Sequence, residues 1–328
     1  MNSRLFVWIV ATLVLSGCQL PSGGHSPAQD VEYAIAIHGG AGVISKDLAP
    51  QKRDGYLKSL RSALEMGRDV LAGGGSSLDA VVQVVAFLED DPRFNAGKGA
   101  VYTNAGTHEL DAAVMDGSTL ACGSVTGITT VKNPILLARM VMTQTRHVFL
   151  MGEGAEQFAT EMQLTRVPQS YFHTERRYQQ WQKALEKQGQ ESSERSTVGA
   201  VALDRNGNLA AATSTGGLTN KRFGRVGDTP VIGAGTYAND QTCAISCTGV
   251  GEEFIRHGVA REISARMLHR KESLQEASRQ VVHGLLKSGE GGIIGVGRDG
   301  SLVWEFNTTG MFRGAADSTG RLEVKIWE

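Results

Sequence analysis

Two short apolar segments separated by a turn sequence constrain this chain more than any other feature. Residues 197–203 and 209–215 each have the length and the small or β-branched composition of a buried strand. Between them, 204–207 (Asp-Arg-Asn-Gly) form a typical turn sequence that ends in glycine. The pattern predicts a β-hairpin, and the start of its first strand lies beside the end of its second. Thr197 and Thr215 are therefore expected to lie close together.

The chain immediately before Thr197 is polar. Residues 188–195 are Gln, Glu, Ser, Gly and Arg with no apolar side chain, and such a segment is expected to be exposed and to tolerate a chain break. Within an intact chain the threonine hydroxyl lacks a neighbouring base, because the lone pair of its own amide nitrogen is delocalised. Cleavage of the Ser196–Thr197 bond would free an α-amino group with a pKa of about 8 that can act as that base. Thr197 is thus a candidate nucleophile that depends on chain cleavage.

The rest of the chain shows both helical and strand periodicity. Strands are predicted at 33–38 before a Gly39-Gly40 turn, between Tyr102 and Val131, at 242–248, and as two closing strands around Gly300 and Gly320. Helices are predicted at about 51–71, from Ser76 or Ser77 onward, and at 134–142, 153–163, 174–188, 251–269 and 273–287. Helices, strands, strands and helices in this order suggest two stacked sheets between helical layers.

The first 18 residues have the pattern of a bacterial lipoprotein signal peptide. Arg4 precedes an apolar run over 5–15, which is too short to cross a bilayer. The signal ends in a lipobox, 15–18 (Leu-Ser-Gly-Cys), in which Cys18 would be lipidated and become the mature N-terminus. A secretory signal with a chance cysteine is the alternative.

Residues 19–32 are predicted to form a flexible tether, because they are rich in Pro, Ser and Gly and lack apolar periodicity. The remainder, 33–328, is predicted to be a single domain. Gln19 after the cysteine is compatible with sorting to the outer membrane. The expected location is the bacterial cell envelope, facing the periplasm, with membrane contact only through the N-terminal lipid.

Charge and motif spacing argue against several other kinds of site. A formal net charge of -1 gives no reason to expect a nucleic-acid partner. Cys122, Cys243 and Cys247 are an odd set without Cys/His zinc spacing, and on one strand the last two would lie about 13 Å apart, too far for a disulfide. The glycine-rich segment 73–77 lacks the lysine of a phosphate loop, and no Gly-x-Ser-x-Gly motif occurs.

Seven short motifs are spread over most of the chain. They are 37–42 (Ile-His-Gly-Gly-Ala-Gly), 94–99 (Phe-Asn-Ala-Gly-Lys-Gly), 109–112 (Glu-Leu-Asp-Ala), 213–221 (Thr-Ser-Thr-Gly-Gly-Leu-Thr-Asn-Lys), 224–228 (Gly-Arg-Val-Gly-Asp), 233–235 (Gly-Ala-Gly) and 246–249 (Ser-Cys-Thr-Gly). In this order the chain, from about Tyr33 to near its end, resembles the isoaspartyl peptidase and plant-type L-asparaginase family of N-terminal nucleophile (Ntn) hydrolases. The resemblance implies a four-layer αββα sandwich, whereas pattern reasoning alone gives only a mixed α/β fold.

The resemblance also implies roles for the residues at the hairpin. Thr197 corresponds to the nucleophile, and self-cleavage after Ser196 would give an α chain ending there and a β chain beginning at Thr197. Thr215 corresponds to a second threonine that orients the nucleophile. Thr248 and Gly249 correspond to an oxyanion pair that supplies a hydroxyl and a backbone N–H.

Further positions correspond to substrate-binding and supporting groups of the family. Arg225 and Asp228 would bind the α-carboxylate and the α-ammonium of an aspartyl substrate. Supporting loops would contain His38, Gly39, Gly40 and Asn95. The resemblance implies no organic cofactor, a homodimer of αβ units, and a Na⁺ site built from backbone carbonyls. These carbonyls belong to Leu88, Glu89, Asp91, Phe94, Ala96 and Lys98.

The resulting hypothesis is a self-cleaving threonine hydrolase that cleaves β-aspartyl (isoaspartyl) dipeptides and the side-chain amide of L-asparagine, releasing L-aspartate. One departure bears on it: Ser196 stands where the family commonly has glycine, which predicts slow cleavage. Two alternatives stay open. One is a glycosylasparaginase-like amidase, and the other is an uncleaved, catalytically inactive envelope lipoprotein with a binding role. The pattern leaves the preferred substrate open.

Overall fold

The computed structural model describes residues 31–187 and 196–328. The predicted signal peptide with Cys18, the predicted tether up to residue 30 and the polar linker 188–195 lie outside the described residues. Within the described residues the strands are β1 (Ala34–Gly42), β2 (Leu110–Asp116), β3 (Cys122–Ile128), β4 (Phe149–Met151), β5 (Val198–Leu203), β6 (Leu209–Thr215), β7 (Thr236–Ala238), β8 (Cys243–Gly249), β9 (Gly291–Gly297), β10 (Leu302–Phe306), β11 (Gly310–Asp317) and β12 (Leu322–Lys325). The helices are α1 (Pro50–Ala72), α2 (Ser77–Asp90), α3 (Pro134–Gln144), α4 (Gly152–Glu161), α5 (Glu175–Glu186), α6 (Gly251–His257), α7 (Val259–Ala265) and α8 (Leu274–Gly284).

The strands form two sheets. The larger sheet has the order β12-β11-β1-β5-β6-β2-β3-β4, and the smaller has the order β10-β9-β8-β7. All pairings are antiparallel except that of β3 with β4. The predicted hairpin is confirmed: β5 and β6 pair at the centre of the larger sheet, with Val198 opposite Ser214.

Side chains alternate along the central strands and divide the core into two parts. On one face of the larger sheet, Ile35 and Ala200 pack with residues of α1, α2 and α3. On the other face, Ala36 and Val201 meet Ile245 of the smaller sheet, whose strands are covered in turn by α6, α7 and α8. The layers therefore follow the predicted αββα order.

Local sequence accounts for several helix boundaries. The Ser76 hydroxyl accepts the backbone N–H of Asp79 at 3.0 Å, so Ser76 is the N-cap of α2, one of the two candidates for that position. Pro134 begins α3, as expected for a residue that lacks an N–H donor.

The predicted Gly39-Gly40 turn is wrong. Strand β1 continues to Gly42, and its pairing with β11 shifts by one residue between His38 and Gly40. This shift is a β-bulge, and Gly40 adopts a φ of 114° that favours glycine. The bulge bends the end of β1 toward Ser196.

Two further boundaries differ from the predictions. The single helix expected over 251–269 is divided into α6 and α7 by Gly258, which has a φ of 55°, and a π-helical segment follows at Arg266–Arg270. The two closing strands are in fact two hairpins, β9–β10 around Gly300 and β11–β12 around Gly320. Strand β9 contains four glycines and β12 has only four residues, so both give weak strand patterns in the sequence.

Three observations on the described residues concern the cysteines, the helices and possible metal-ligating side chains. Cys122, Cys243 and Cys247 are free thiols. Among the described helices, none combines the length and the apolar character needed to span a bilayer. No group of three or more His, Cys, Asp or Glu side chains in the described residues could hold a metal ion.

We predict that truncating Leu64 destabilises the fold. Leu64 is completely buried on the face of α1 that packs against the larger sheet. Leu64→Ala should lower the free energy of unfolding by about 2–5 kcal/mol, because the substitution leaves a cavity. Lys58→Ala, at an exposed position of the same helix, is the control. Urea unfolding measures both variants, and equal stabilities would contradict this packing.

Candidate active site

The hairpin brings Thr197 and Thr215 into contact. Thr197 directly precedes β5, and Thr215 is the last residue of β6. The Thr197 hydroxyl donates to Thr215 Oγ1 at 3.2 Å, and the Thr215 hydroxyl lies 3.4 Å from the carbonyl oxygen of Ser196. The N–H of Gly217 donates to Thr215 Oγ1 at 3.0 Å, which fixes the hydroxyl in place. One side chain thus contacts both the candidate nucleophile and the residue that precedes it.

The bulge of β1 holds Ser196 from the other side. The Ser196 hydroxyl donates to the carbonyl oxygen of Gly39 at 2.9 Å. A Cβ atom on Gly40 would lie 2.5 Å from Ser196 Oγ and 2.8 Å from its Cα, so only glycine allows this approach. The two glycines predicted to support the site therefore contact the residue before the candidate nucleophile.

His38 positions the backbone of Thr197. Its Nδ1 lies 2.9 Å from the carbonyl oxygen of Thr197, and its Nε2 lies 2.8 Å from Ser246 Oγ. Burial lowers the pKa of His38 to about 3, against a weaker opposing effect of the hydrogen bond to Thr197, so the ring is neutral. A carbonyl can only accept, and Nδ1 therefore carries the proton while Nε2 accepts from Ser246.

This tautomer fixes the direction of a longer chain of buried hydroxyl groups. Ser246 Oγ lies 2.7 Å from Thr213 Oγ1, and the Thr236 hydroxyl donates to Thr213 Oγ1 at 2.7 Å. Because Ser246 donates to His38, Thr213 must donate to Ser246. A Cβ atom on Gly199 would lie 2.0 Å from Ser246 Oγ, so this row of hydroxyl groups passes over a glycine of β5. Thr213 and Ser246 lie in two of the seven motifs, but no role was predicted for them.

The predicted substrate-binding pair lies on the loop before β7. Asp228 is 5% exposed, and its Oδ2 atom has no hydrogen-bond partner among the described residues. Burial raises the pKa of Asp228 to about 7, although the Arg225 charge opposes the shift. A buried carboxylate oxygen without a partner is suited to bind a cationic group.

Glu252 is a site residue that the sequence analysis missed. It follows the first residue of α6, and its carboxylate accepts Nε and Nη2 of Arg225 at 2.7 and 2.9 Å. Burial tends to lower the pKa of Arg225, but Glu252 outweighs burial and leaves that pKa raised. The pair orients the guanidinium, whose remaining N–H groups can bind an anion. The sequence feature that could have pointed to Glu252 is the acidic start of α6, just after the 246–249 motif.

A small cavity joins most of these groups. Its volume is about 10 Å³, enough for about one water molecule. Gly249 lines it, and the neighbouring Thr248 is fully buried and accepts the N–H of Ala41 at 3.3 Å. The described residues that line the cavity are Ser196, Thr197, Thr215, Gly217, Leu218, Arg225, Gly227, Asp228, Thr229 and Gly249.

Asn95 connects this cavity to the 94–99 motif. Its Nδ2 donates to the carbonyl oxygen of Gly217 at 2.8 Å, and its Oδ1 accepts the N–H of Val101 at 2.9 Å. Its own carbonyl oxygen accepts the N–H of Gly216 at 3.1 Å. Asn95 thus fixes the loop that follows β6, next to Thr215.

The carbonyl groups predicted to bind Na⁺ lie at the end of α2 and in the loop that follows. A Cβ atom on Gly97 would lie 2.4 Å from the carbonyl oxygen of Glu89, and one on Gly99 would lie 2.0 Å from that of Phe94. The two glycines therefore let the backbone pack closely against these carbonyls, and we call the 88–98 segment the carbonyl cradle. Oxygen donors of this kind suit a hard cation, so the donor set fits the predicted ion.

The Glu89 side chain links this loop to β6. Its Oε1 accepts the Ser214 hydroxyl at 2.6 Å and the N–H of Ile135 at 3.0 Å. Burial raises the pKa of Glu89 to about 8, which the hydrogen bonds from Ser214 and Ile135 oppose. The carboxyl group therefore ties the cradle to the strand that ends at Thr215.

Comparison with known proteins agrees with the motif order. Residues 31–326 match a family model described as asparaginase. The chain is 49% identical over 293 residues to the isoaspartyl peptidase of Escherichia coli K12, an alignment that covers 85% of this chain and 91% of that protein. It is 41% identical over 300 residues to the human isoaspartyl peptidase/L-asparaginase, with 89% and 95% covered. It is also 41% identical over 324 residues to a probable isoaspartyl peptidase/L-asparaginase of Arabidopsis thaliana, with 90% and 99% covered.

We predict that Asp228 destabilises the uncleaved chain at neutral pH. Its pKa of about 7 exceeds the value of 3.8 for an unperturbed aspartate, so the folded state binds its proton more tightly than the unfolded state. The contribution of Asp228 to the free energy of unfolding is therefore highest below pH 4. It falls by roughly 1.4 kcal/mol per pH unit from about pH 4 to 7. Asp228→Asn removes this dependence.

The measurement is urea unfolding of wild type and Asp228→Asn at several pH values, on chains shown by mass to be uncleaved. The stability advantage of the variant should increase up to about pH 7 and then stay constant. An advantage that does not change between pH 4 and 7 would rule out a raised pKa.

Proposed function

The chain belongs to the asparaginase family, and on that premise we propose that it cleaves β-aspartyl (isoaspartyl) dipeptides and the side-chain amide of L-asparagine, releasing L-aspartate. Family membership makes the protein a hydrolase. The observation that carries the finer proposal is the contact of 3.2 Å between the hydroxyls of Thr197 and Thr215, in a cavity that Arg225 and Asp228 also line. A nucleophile with its orienting partner thus lies beside groups that suit both charges of an amino acid.

Activation would begin with attack of the Thr197 hydroxyl on the carbonyl carbon of Ser196. The new C–O bond forms an ester while the C–N bond between the residues breaks, and the nitrogen gains the hydroxyl proton. Water then hydrolyses the ester, leaving a carboxylate on Ser196 and a free amine on Thr197. The position of the Thr215 hydroxyl, 3.2 Å from the attacking oxygen and 3.4 Å from the carbonyl oxygen of Ser196, supports its role in this step.

The mature site would use the freed amine of Thr197 as its base. Asp228 would bind the α-ammonium of the substrate through its unpartnered oxygen, and Arg225 would bind the α-carboxylate. The amine removes the proton of the Thr197 hydroxyl, which attacks the side-chain carbonyl carbon of the aspartyl group. The Gly249 N–H and the Thr248 hydroxyl would stabilise the oxyanion. The leaving amine departs with a proton, and water releases L-aspartate from the acyl-enzyme.

We further propose that Na⁺ binds the carbonyl cradle at the end of α2. Backbone carbonyl oxygens of the 88–98 segment would hold the ion, whose positive charge would offset the repulsion between them. Asn95 in that segment holds the loop after β6 through Gly217, so the cradle supports the position of Thr215. The lipid anchor on Cys18, the periplasmic location and the dimer of αβ units remain predictions.

Self-cleavage at the Ser196–Thr197 bond can be followed directly by mass. Intact-mass analysis of the purified chain, followed over days at neutral pH, should show two fragments, the second beginning at Thr197. Thr197→Ala should stay whole and should hydrolyse no aspartyl substrate, because it lacks the hydroxyl. Thr197→Ser, which keeps a hydroxyl, is the matched control and should still cleave.

Activity of the matured wild type is then compared on L-asparagine, β-aspartyl-leucine and N-acetylglucosaminyl-asparagine. Hydrolysis of the first two supports the proposal, whereas preference for the third supports a glycosylasparaginase-like amidase. A wild-type chain that stays whole and inert would leave the binding-protein alternative in its place.

Substitution of Glu252 tests whether this carboxylate orients Arg225 for substrate binding. Glu252→Gln should raise KM for L-asparagine about tenfold with a smaller change in kcat, because Arg225 loses the charged partner that orients it. Glu253→Gln, the adjacent position on α6, is the control, since Glu253 pairs with Arg256 instead. An unchanged KM in Glu252→Gln would show that Arg225 needs no such orientation.

A further inference from the structure

A second and much larger cleft lies beside Ser196. Its volume is about 680 Å³, compared with about 10 Å³ for the cavity that contains Arg225 and Asp228. Part of its wall is apolar: the rings of Tyr56 and Phe312 are stacked with their centroids 4.3 Å apart, and Leu48 lies on the same lining. The cleft is thus large enough for an amino-acid residue with an apolar side chain.

Ser196 separates the two spaces. It lines the small cavity together with Thr197, and it lines the large cleft together with Gly40. In the uncleaved chain the peptide bond to Thr197 holds Ser196 in this position. Cleavage of that bond removes the restraint, so the small cavity and the cleft can become continuous at the nucleophile.

The charge of the cleft is one-sided. Lys52, Arg93, Arg176 and Arg177 line it, and none of the described lining residues is acidic. Arg93 is paired with Asp91, but Lys52 and Arg176 have no carboxylate partner within the described residues. An anion entering the cleft therefore meets two basic groups that no carboxylate of the described residues neutralises.

Arg176 is held in place by hydrogen bonds, although no carboxylate of the described residues pairs with it. Its Nη1 donates to the Tyr56 hydroxyl, and its Nη2 donates to the carbonyl oxygen of Arg93 at 2.7 Å. These two bonds use only part of the five N–H donors of a guanidinium. A fixed guanidinium with free donors beside an apolar wall matches a carboxylate that is attached to an apolar residue.

We propose that this cleft binds the leaving residue of the substrate, and that it selects β-aspartyl dipeptides whose second residue has an apolar side chain and a free α-carboxylate. The inference rests on the proposed function of the same site. Arg176 would bind the carboxylate directly, Lys52 would add a second positive charge, and Tyr56 and Phe312 would contact the side chain. L-Asparagine releases only ammonia, so its hydrolysis would not depend on these groups.

The test compares three substrates on matured enzyme: β-aspartyl-leucine, β-aspartyl-leucine amide and L-asparagine. Wild type should show kcat/KM about tenfold higher for the free dipeptide than for its amide, the size expected for one hydrogen bond between charged groups. Arg176→Gln should lower kcat/KM about tenfold for the free dipeptide alone. Lys52→Gln should lower it about threefold, also for that substrate alone, because an exposed charge contributes less.

Two controls separate binding from folding. Lys58→Gln changes an exposed charge of α1 that does not line the cleft, and it should leave all three substrates unchanged. Lys52→Gln changes a side chain with no hydrogen bond to the described residues, so it tests the cleft even if Arg176→Gln folds poorly. Mass analysis first confirms that each variant is cleaved.

Two results would overturn the proposal while the proposed function stands. One is equal kcat/KM of wild type for β-aspartyl-leucine and its amide, together with normal hydrolysis of L-asparagine. The other is an equal loss on all three substrates in both Arg176→Gln and Lys52→Gln. Matured wild type that hydrolyses none of the three would overturn the proposed function as well.

Discussion

The register of three adjacent strands determines the geometry of the whole site. His38 of β1 lies opposite Gly199 of β5, and Val198 lies opposite Ser214 of β6. Because side chains alternate along a strand, a shift of one residue would move every one of them to the other face of the sheet. In the observed register the absent side chain of Gly199 leaves room for His38 to reach Ser246, and the hydroxyls of Thr197 and Thr215 meet at the strand ends.

Burial shifts the protonation of two polar groups in the site toward their neutral forms. Burial keeps His38 neutral and raises the pKa of Asp228, whose Oδ2 atom lacks a partner among the described residues. A folded domain tolerates such groups only because its core is large, and two extensive apolar clusters enclose the sheets here. Under the proposed function, the Asp228 carboxylate would be stabilised when the cationic group of the substrate binds, and it would act in recognition.

Local patterns in the sequence predict the features that depend on neighbouring residues. The β5–β6 hairpin follows from periodicity and turn residues, and the α2 cap at Ser76 was one of two candidates that the sequence offered, whereas the four-layer order was implied by the motif resemblance. The bulge at Gly40 and the helix break at Gly258 do not, because a glycine permits several backbone conformations and tertiary contacts select one. Likewise, motif resemblance identified Arg225, but its partner Glu252 is 27 residues away and only the fold brings them together.

The order of strands in the larger sheet has a consequence for a chain divided at Ser196. Strand β1 belongs to the first piece, yet it lies between β11 and β5 of the second, and β6 of the second pairs with β2 of the first. The two pieces would be interlaced, so separating them requires dismantling the central sheet. Folding one polypeptide is a first-order process, whereas reassembling two requires an encounter and depends on protein concentration. The divided molecule would therefore owe its persistence to slow unfolding, and dilution after denaturation would not restore it.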